Sequence, residues 1–296
     1  MKIVDTHHHL WDLKNHYPFM HEKGRHLSGG NAILQNNYLI GDLLADIAGT
    51  GVVKSVHLQA GIEPPKSVYE TEWVQSIADD KAVSRGFPHA IVARTNPADP
   101  NAEAELEQHC QYKNVRGIRH LVHEYLADPV KYPDYLKMPA WRTGLKLLRK
   151  HNLVFDLLVF QQQMAEAAEI VRENPDILFV VEHSGVPDLQ LGEPYERWRA
   201  NISLLAALPN TVMKISGFGM RAHSTAWSME RIKPFITTMI DLFGPKRCVF
   251  GSNFPLDKVC VSYKQMWQDF DDATKGYSDD ERSALFHDNA VRVYRL

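Results

Sequence analysis

The sequence predicts a single-domain α/β protein, a (β/α)8 TIM barrel, on three observations. Eight short β-branched or apolar runs recur along the 296 residues, stretches of helical period lie between them, and nearly every run ends in a polar or ionisable cluster. The runs are 2–7, 52–59, 90–95, 117–121, 153–159, 177–183, 212–216 and 247–251. Strands separated by helices imply parallel pairing through crossovers, which leaves an open doubly wound sheet or a closed barrel. The strand ends decide between the two. They carry His7-His8-His9, His57 and Gln59, Arg94 to Asn96, Arg119-His120, Asp156, Glu182-His183-Ser184, Lys214 to Ser216, and Ser252-Asn253. A barrel gathers all of these on one rim, where active sites of this fold sit, whereas an open sheet strings them along an edge.

The helical stretches follow in order. Segment 41–48 carries LLADIA, and 164–172 reads MAEAAEIVR. After Pro194, Trp198, Ile202 and Leu205 fall on one face at i, i+4 and i+7. Ser278-x-x-Glu281 is a capping-box pattern that opens a last helix toward Tyr294. Two connections exceed the usual length of about two to six residues. One spans 10–40 and holds Trp11, Tyr17, Phe19, Arg25 and His26; the other spans 123–138 and holds Glu124, Tyr125, Tyr132 and Tyr135. Both follow strands on the rim side and are expected to cover the site, with packing against a neighbouring protomer as the alternative. No linker or repeat divides the chain.

Composition narrows the class of partner. The net charge is −3 with no block of like charge, which argues against nucleic acid and anionic membrane surfaces. No run approaches the roughly 20 apolar residues of a spanning helix. The chain opens on a strand pattern rather than a signal peptide. Cys110, Cys248 and Cys260 are scattered and read as reduced thiols, so a cytoplasmic protein is expected. The expected partner is a small-molecule substrate, and a homo-oligomer is left open.

The strongest local feature is Asp5-Thr6-His7-His8-His9-Leu10-Trp11. Side chains alternate along a strand, so Asp5, His7 and His9 are expected on one face and His8 on the other. Two imidazoles so spaced can grip one metal ion or hold a substrate carbonyl by hydrogen bonds. No phosphate loop, dinucleotide fingerprint or serine nucleophile elbow is present, which leaves acid–base chemistry on water.

These residues carry a resemblance. The segment VDTHHHLWD at 4–12 is similar to the opening of the amidohydrolase-2 branch of the amidohydrolase superfamily, which includes 2-pyrone-4,6-dicarboxylate lactonase, fuconolactonase and related sugar lactonases. GIRHL at 117–121, FDLLV at 155–159, VEHSGVP at 181–187, KISG at 214–217 and FGSNFP at 250–255 resemble the family's fourth to eighth strands in register. The resemblance implies a hydrolase that opens a small polar lactone, either a sugar lactone or a carboxylated one. It implies that His7, His9 and His183 line the site and can hold one divalent metal, zinc foremost. Metal-free catalysis is the other option, since part of the branch works without one. It also implies that Arg119 binds an anionic or hydroxyl-rich part of the substrate. Gln59 at a strand end, with the aromatics Trp11 and Tyr125, completes the candidate substrate contacts; Trp141 and Phe254 are further aromatics that could wall the pocket.

One departure matters. The family's eighth strand usually ends in an aspartate where this chain has Asn253. An amide has no basic site near neutral pH, so Asn253 can orient water and cannot deprotonate it. The candidate bases are then Asp257, His183 or His120, or a metal that itself lowers the pKa of water. Two other readings stay open: a metal-dependent decarboxylase of a small aromatic acid on the same barrel, and a non-catalytic binding relative, on account of Asn253.

Overall fold

The computed structural model describes residues 1–15, 17, 35–63, 66–221 and 227–296. Phe19, Arg25 and His26 of the first long connection lie outside the described residues.

Eight parallel strands pair in sequence order: β1 (Ile3–His8), β2 (Val52–Leu58), β3 (Ala90–Arg94), β4 (Val115–Arg119), β5 (Val154–Leu157), β6 (Phe179–Val181), β7 (Thr211–Ile215) and β8 (Cys248–Phe250). The last strand returns to the first. His8 forms a parallel bridge with Phe254, and the Asn253 amide donates to the His7 carbonyl at 2.7 Å. The result is a (β/α)8 barrel.

Alternation sorts the side chains into two cores. Val4, Val56, Val92, Val154, Val180, Val212 and Val249 fill the interior, and Val293 and Tyr294 of the C-terminal helix pack with them. Phe155, Phe179, Met213 and Phe250 face outward onto helices that include Glu193–Ala206, through Trp198, Ile202 and Leu205. Burying each such apolar side chain contributes about 1.5–3 kcal/mol. The interior is tight enough that a Cβ on Gly117 would stand 2.6 Å from Val154 Cγ2.

The helices over Ile40–Ile47, Met164–Glu173 and Glu193–Ala206 agree with the sequence reading. The Ser278/Glu281 capping box is formed, and the last helical run reaches Tyr294. The connection after β4 holds a short helix, Glu124–Ala127, and a turn, Tyr135–Lys137. No helix among the described residues is long and apolar enough to cross a membrane.

One expectation is corrected. Pairing of β1 with β2 shifts register between Asp5 and His8, so strict alternation fails there. Asp5 accepts hydrogen bonds from Ser252 and from the Tyr263 hydroxyl of a helix packed outside the barrel. His7 turns toward Glu182 instead. Asp5 therefore does not share the face of His7 and His9.

Candidate active site

Two residues beyond the interior valines, the strands change character. Asp156 follows Val154, Glu182 follows Val180, Lys214 follows Val212, and Arg119 follows Gly117, all buried. Above this charged layer sit the histidines. A surface cleft of about 360 Å³ lies at the other end of the strands, lined in part by Met1, Gly49 and Lys264, away from these groups.

His7 and His9 meet with Nε2 atoms 3.2 Å apart. His9 Nδ1 lies 2.8 Å from the Leu58 carbonyl, which only accepts, so the His9 proton sits on Nδ1 and Nε2 keeps its lone pair. His7 Nδ1 lies 3.2 Å from Glu182 Oε1. The two atoms lie at ion-pair distance but outside hydrogen-bond geometry, so the carboxylate favours a proton on His7 Nδ1, with Nε2 bare, without fixing it there. With the His7 proton on Nδ1, two lone pairs face each other at 3.2 Å and repel unless a cation stands between them; with it on Nε2, His7 donates to His9. That spacing suits the N···N edge of about 3.3 Å in a tetrahedral site with Zn–N bonds near 2.0 Å. The donor set therefore fits a divalent metal.

His183 joins His7 from the β6 side in a close-set ligand group that takes in Glu182 and leaves His9 outside. The His183 ring centroid is 4.4 Å from that of His7, and ligand atoms of His7, Glu182 and His183 all lie within 4.8 Å of one another. His183 Nδ1 is 3.1 Å from Ser216 Oγ. The chain turns sharply here, with φ of 51° at His183 and 58° at Ser184, conformations that side-chain-bearing residues rarely adopt. Only glycine fits opposite: a Cβ on Gly217 would stand 2.5 Å from His183 Nδ1.

Burial keeps these imidazoles neutral. It pulls His7 well below its ordinary range, helped by His183, and His9 likewise, helped by Arg119. It takes His183 down to about 3 against the opposing pull of Glu182. Neutral imidazole is the state that binds metal. Glu182 behaves oppositely. Burial opposes its charge, but Arg119, His7 and Lys214 together hold its carboxyl well below the usual range.

Arg119 is largely committed within the protein. Nη1 donates to Glu182 Oε2 at 3.2 Å and Nη2 to the Gln59 carbonyl at 2.6 Å. Its ion-pair partner among the described residues is Glu182. Gln59 spends its side-chain oxygen on the Gly61 amide at 2.7 Å. Trp11 is buried with its ring 6.3 Å from His9 and its Nε1 donating to the Asn36 carbonyl. Tyr125 is half-buried on the rim helix. Trp141 packs on Phe155 and Phe254 on Tyr263, both in the outer core.

His120 lies to one side, against Tyr135 and Trp141. The Trp141 indole can only donate, and it donates to His120 Nδ1 at 3.1 Å. The His120 proton is therefore on Nε2, and burial, then Arg94, lowers the ring to about 3. With Nδ1 taken by the indole, the ring presents an N–H donor at Nε2.

Asn253 links the rim to a second carboxylate. Its amide bonds the His7 carbonyl, and its Nδ2 donates to Asp257 Oδ1 at 2.8 Å. Asp257 Oδ2 accepts from the Gly219 amide at 3.0 Å. Burial pushes Asp257 up to about 7. Asn253 Oδ1 is buried without a hydrogen-bond partner among the described residues.

The structure thus sets His7 between His9 on one side and His183 with Glu182 on the other, pairs Arg119 with Glu182, attaches Asn253 and Asp257 through the His7 carbonyl, and leaves His120 and Tyr125 on the β4 side. Sequence reasoning gave no role to Glu182, Lys214 or Tyr294. A signal was present: Lys214 interrupts an apolar strand, and Glu182 keeps the inward period of Val180.

Comparison with known proteins places this geometry. The amidohydrolase family model matches residues 4–296. The uncharacterized protein y4mH of Sinorhizobium fredii is 39% identical over 99% of this chain and 98% of its own length. An L-fucono-1,5-lactonase of Burkholderia multivorans is 27% identical over 99% of this chain and 96% of its own. The crystal structure of an amidohydrolase from Burkholderia multivorans with bound zinc matches with a TM-score of 0.84 and 25% identity, covering 100% of both chains. The chain belongs to the amidohydrolase family and is a hydrolase.

Proposed function

We propose that this hydrolase opens a small, uncharged sugar lactone by attack of water on the ring carbonyl. The observation that carries the reading is the approach of His7 Nε2 and His9 Nε2 to 3.2 Å, with the His183 ring beside His7. His7, His9 and His183 would hold one divalent cation, zinc foremost. Such an ion, when bound, polarises a carbonyl and lowers the pKa of water toward about 7.

The remaining roles belong to the chain itself. Asp257 takes the proton of the attacking water and returns it to the ring oxygen as the acyl C–O bond breaks, because burial lifts it to about 7 while His183 falls to about 3 and is much the weaker acceptor. Asn253 holds that carboxylate beside the strand that carries His7. His120, its ring lowered to about 3 by burial, offers an N–H donor. Arg119 acts through Glu182 on His7 and has little charge left to neutralise a substrate carboxylate. That favours neutral lactones over carboxylated ones, in keeping with the L-fucono-1,5-lactonase relative.

The test is a panel of neutral aldonolactones, a carboxylated pyrone lactone and small aromatic acids, scored for acid and for carbon dioxide release. Fast acid release from neutral lactones, lost on chelation and restored by zinc, is expected. Carbon dioxide from aromatic acids, or no turnover of any lactone, would overturn the reading.

A further inference from the structure

Beneath the histidines lies a set of buried charges that the reaction does not use directly. Lys214 Nζ, inside the barrel, contacts Asp156 Oδ1 closely and stands 3.5 Å from Glu182 Oε1. It also lies 5.4 Å from the centre of the Tyr294 ring. Tyr294, near the end of the C-terminal helix, donates its hydroxyl to Asp156 at 2.9 Å. Glu182 Oε1 is shared between Lys214 and His7 Nδ1, and Oε2 faces Arg119.

We propose that Lys214 is a positioning residue: by drawing Asp156 and Glu182 together it fixes Glu182 against His7 Nδ1 and so keeps the His7 Nε2 lone pair turned toward His9. The charges balance, with two cations (Lys214 and Arg119) for two carboxylates, and none of the four is exposed to water. A buried charge persists only where such partners hold it. Remove the lysine, and Asp156 loses its cation and repels Glu182, which then answers to Arg119 alone and no longer gives His7 a fixed acceptor. Its ring is then free to exchange tautomers. A carboxylate that orients a metal-binding histidine typically matters by about 10- to 100-fold in metal affinity. In this chain the orientation is anchored one layer deeper, at a lysine on β7 and a tyrosine of the C-terminal helix.

The inference rests on the reading of His7 and His9 as a cation grip, and its test separates the two. The full-length metal-free protein, labelled with 15N at histidine, reports which His7 nitrogen carries the proton; Zn2+ affinity is read by competition with a chromophoric chelator. Wild type should show Nδ1 protonated. Lys214→Met should show mixed tautomers and bind Zn2+ about 10- to 100-fold more weakly. Glu182→Gln should weaken binding too, and the double variant should lose little more than either single, because both act through one contact. Should Lys214→Met not fold, Tyr294→Phe, which removes one hydroxyl, must move both readouts in the same direction by less. Unchanged tautomer and affinity in the lysine or tyrosine variant, or additive losses in the double, would overturn the inference. A wild type that takes up no zinc would instead sink the cation grip, while the tautomer measurement still decides the role of Lys214.

Discussion

Glu182 and Asp257 are both fully buried carboxylates beside the same histidine strand, yet their environments drive them in opposite directions. Glu182 meets Arg119, Lys214 and His7 and is held ionised. Asp257 meets two amide donors, Gly219 N and Asn253 Nδ2, and no cation within ion-pair range among the described residues; burial pushes it up to about 7. Desolvation is common to both, so the neighbouring charge decides the outcome. Glu182 is fixed equipment that orients a ring. Asp257 can exchange a proton near neutral pH.

The comparison can be broken at its most sensitive points. His9→Ala removes half of the grip and should lower kcat by at least about 10²–10³-fold without loss of cooperative unfolding. Next in size, Asp257→Asn should cost about 10²–10⁴-fold in kcat, the usual worth of a positioned acid–base group. It should also remove the inflection near pH 7 from the pH–rate profile of wild type, whose rate rises with pH.

The same variant should be more stable than wild type at pH 8. The folded pKa of about 7 lies above the unfolded value near 3.9, so the folded state keeps a proton that the unfolded chain has released. Stability contributed by that group is complete below about pH 4 and is lost as pH rises through 7. The loss is of the order of 4 kcal/mol at most. Asparagine avoids it, and a flipped Asn253 amide can still pair with it. Thermal unfolding at pH 5 and pH 8 should therefore show a gap between variant and wild type that is small at pH 5 and widens to its full size at pH 8. Equal gaps at both would mean that Asp257 is ionised throughout.

Asn253→Asp tests the comparison from the other side. It places a second carboxylate within hydrogen-bond distance of Asp257, and like charges raise one of the pair. The pH–rate inflection should move upward by about one unit or more. The smallest effect is expected from Trp141→Phe, which frees His120 Nδ1 at a cost of about 1 kcal/mol in stability and a modest rise in KM.

Much of this was legible in the chain. The run TVMKI buries both faces, as does VVKSVHL over its last four residues, and so they read as strands of a covered parallel sheet. The histidines that end β1 and follow β6 meet because barrel closure brings these strand ends to one mouth. Asp5 was misplaced because a register shift is a property of the pair β1–β2, invisible in one strand. The tautomer of His120 depends on an indole 21 residues away, and the proton affinity of Asp257 on burial beneath the Gly219 backbone. Such facts arise only when segments are packed together.

Elemental analysis of the purified protein, beside its His7→Ala and His9→Ala variants, bears most directly on the paired imidazoles. The account predicts about one zinc per wild-type chain and little in either variant. A wild type that opens lactones at full rate with no bound metal, and gains nothing from added zinc, would contradict it.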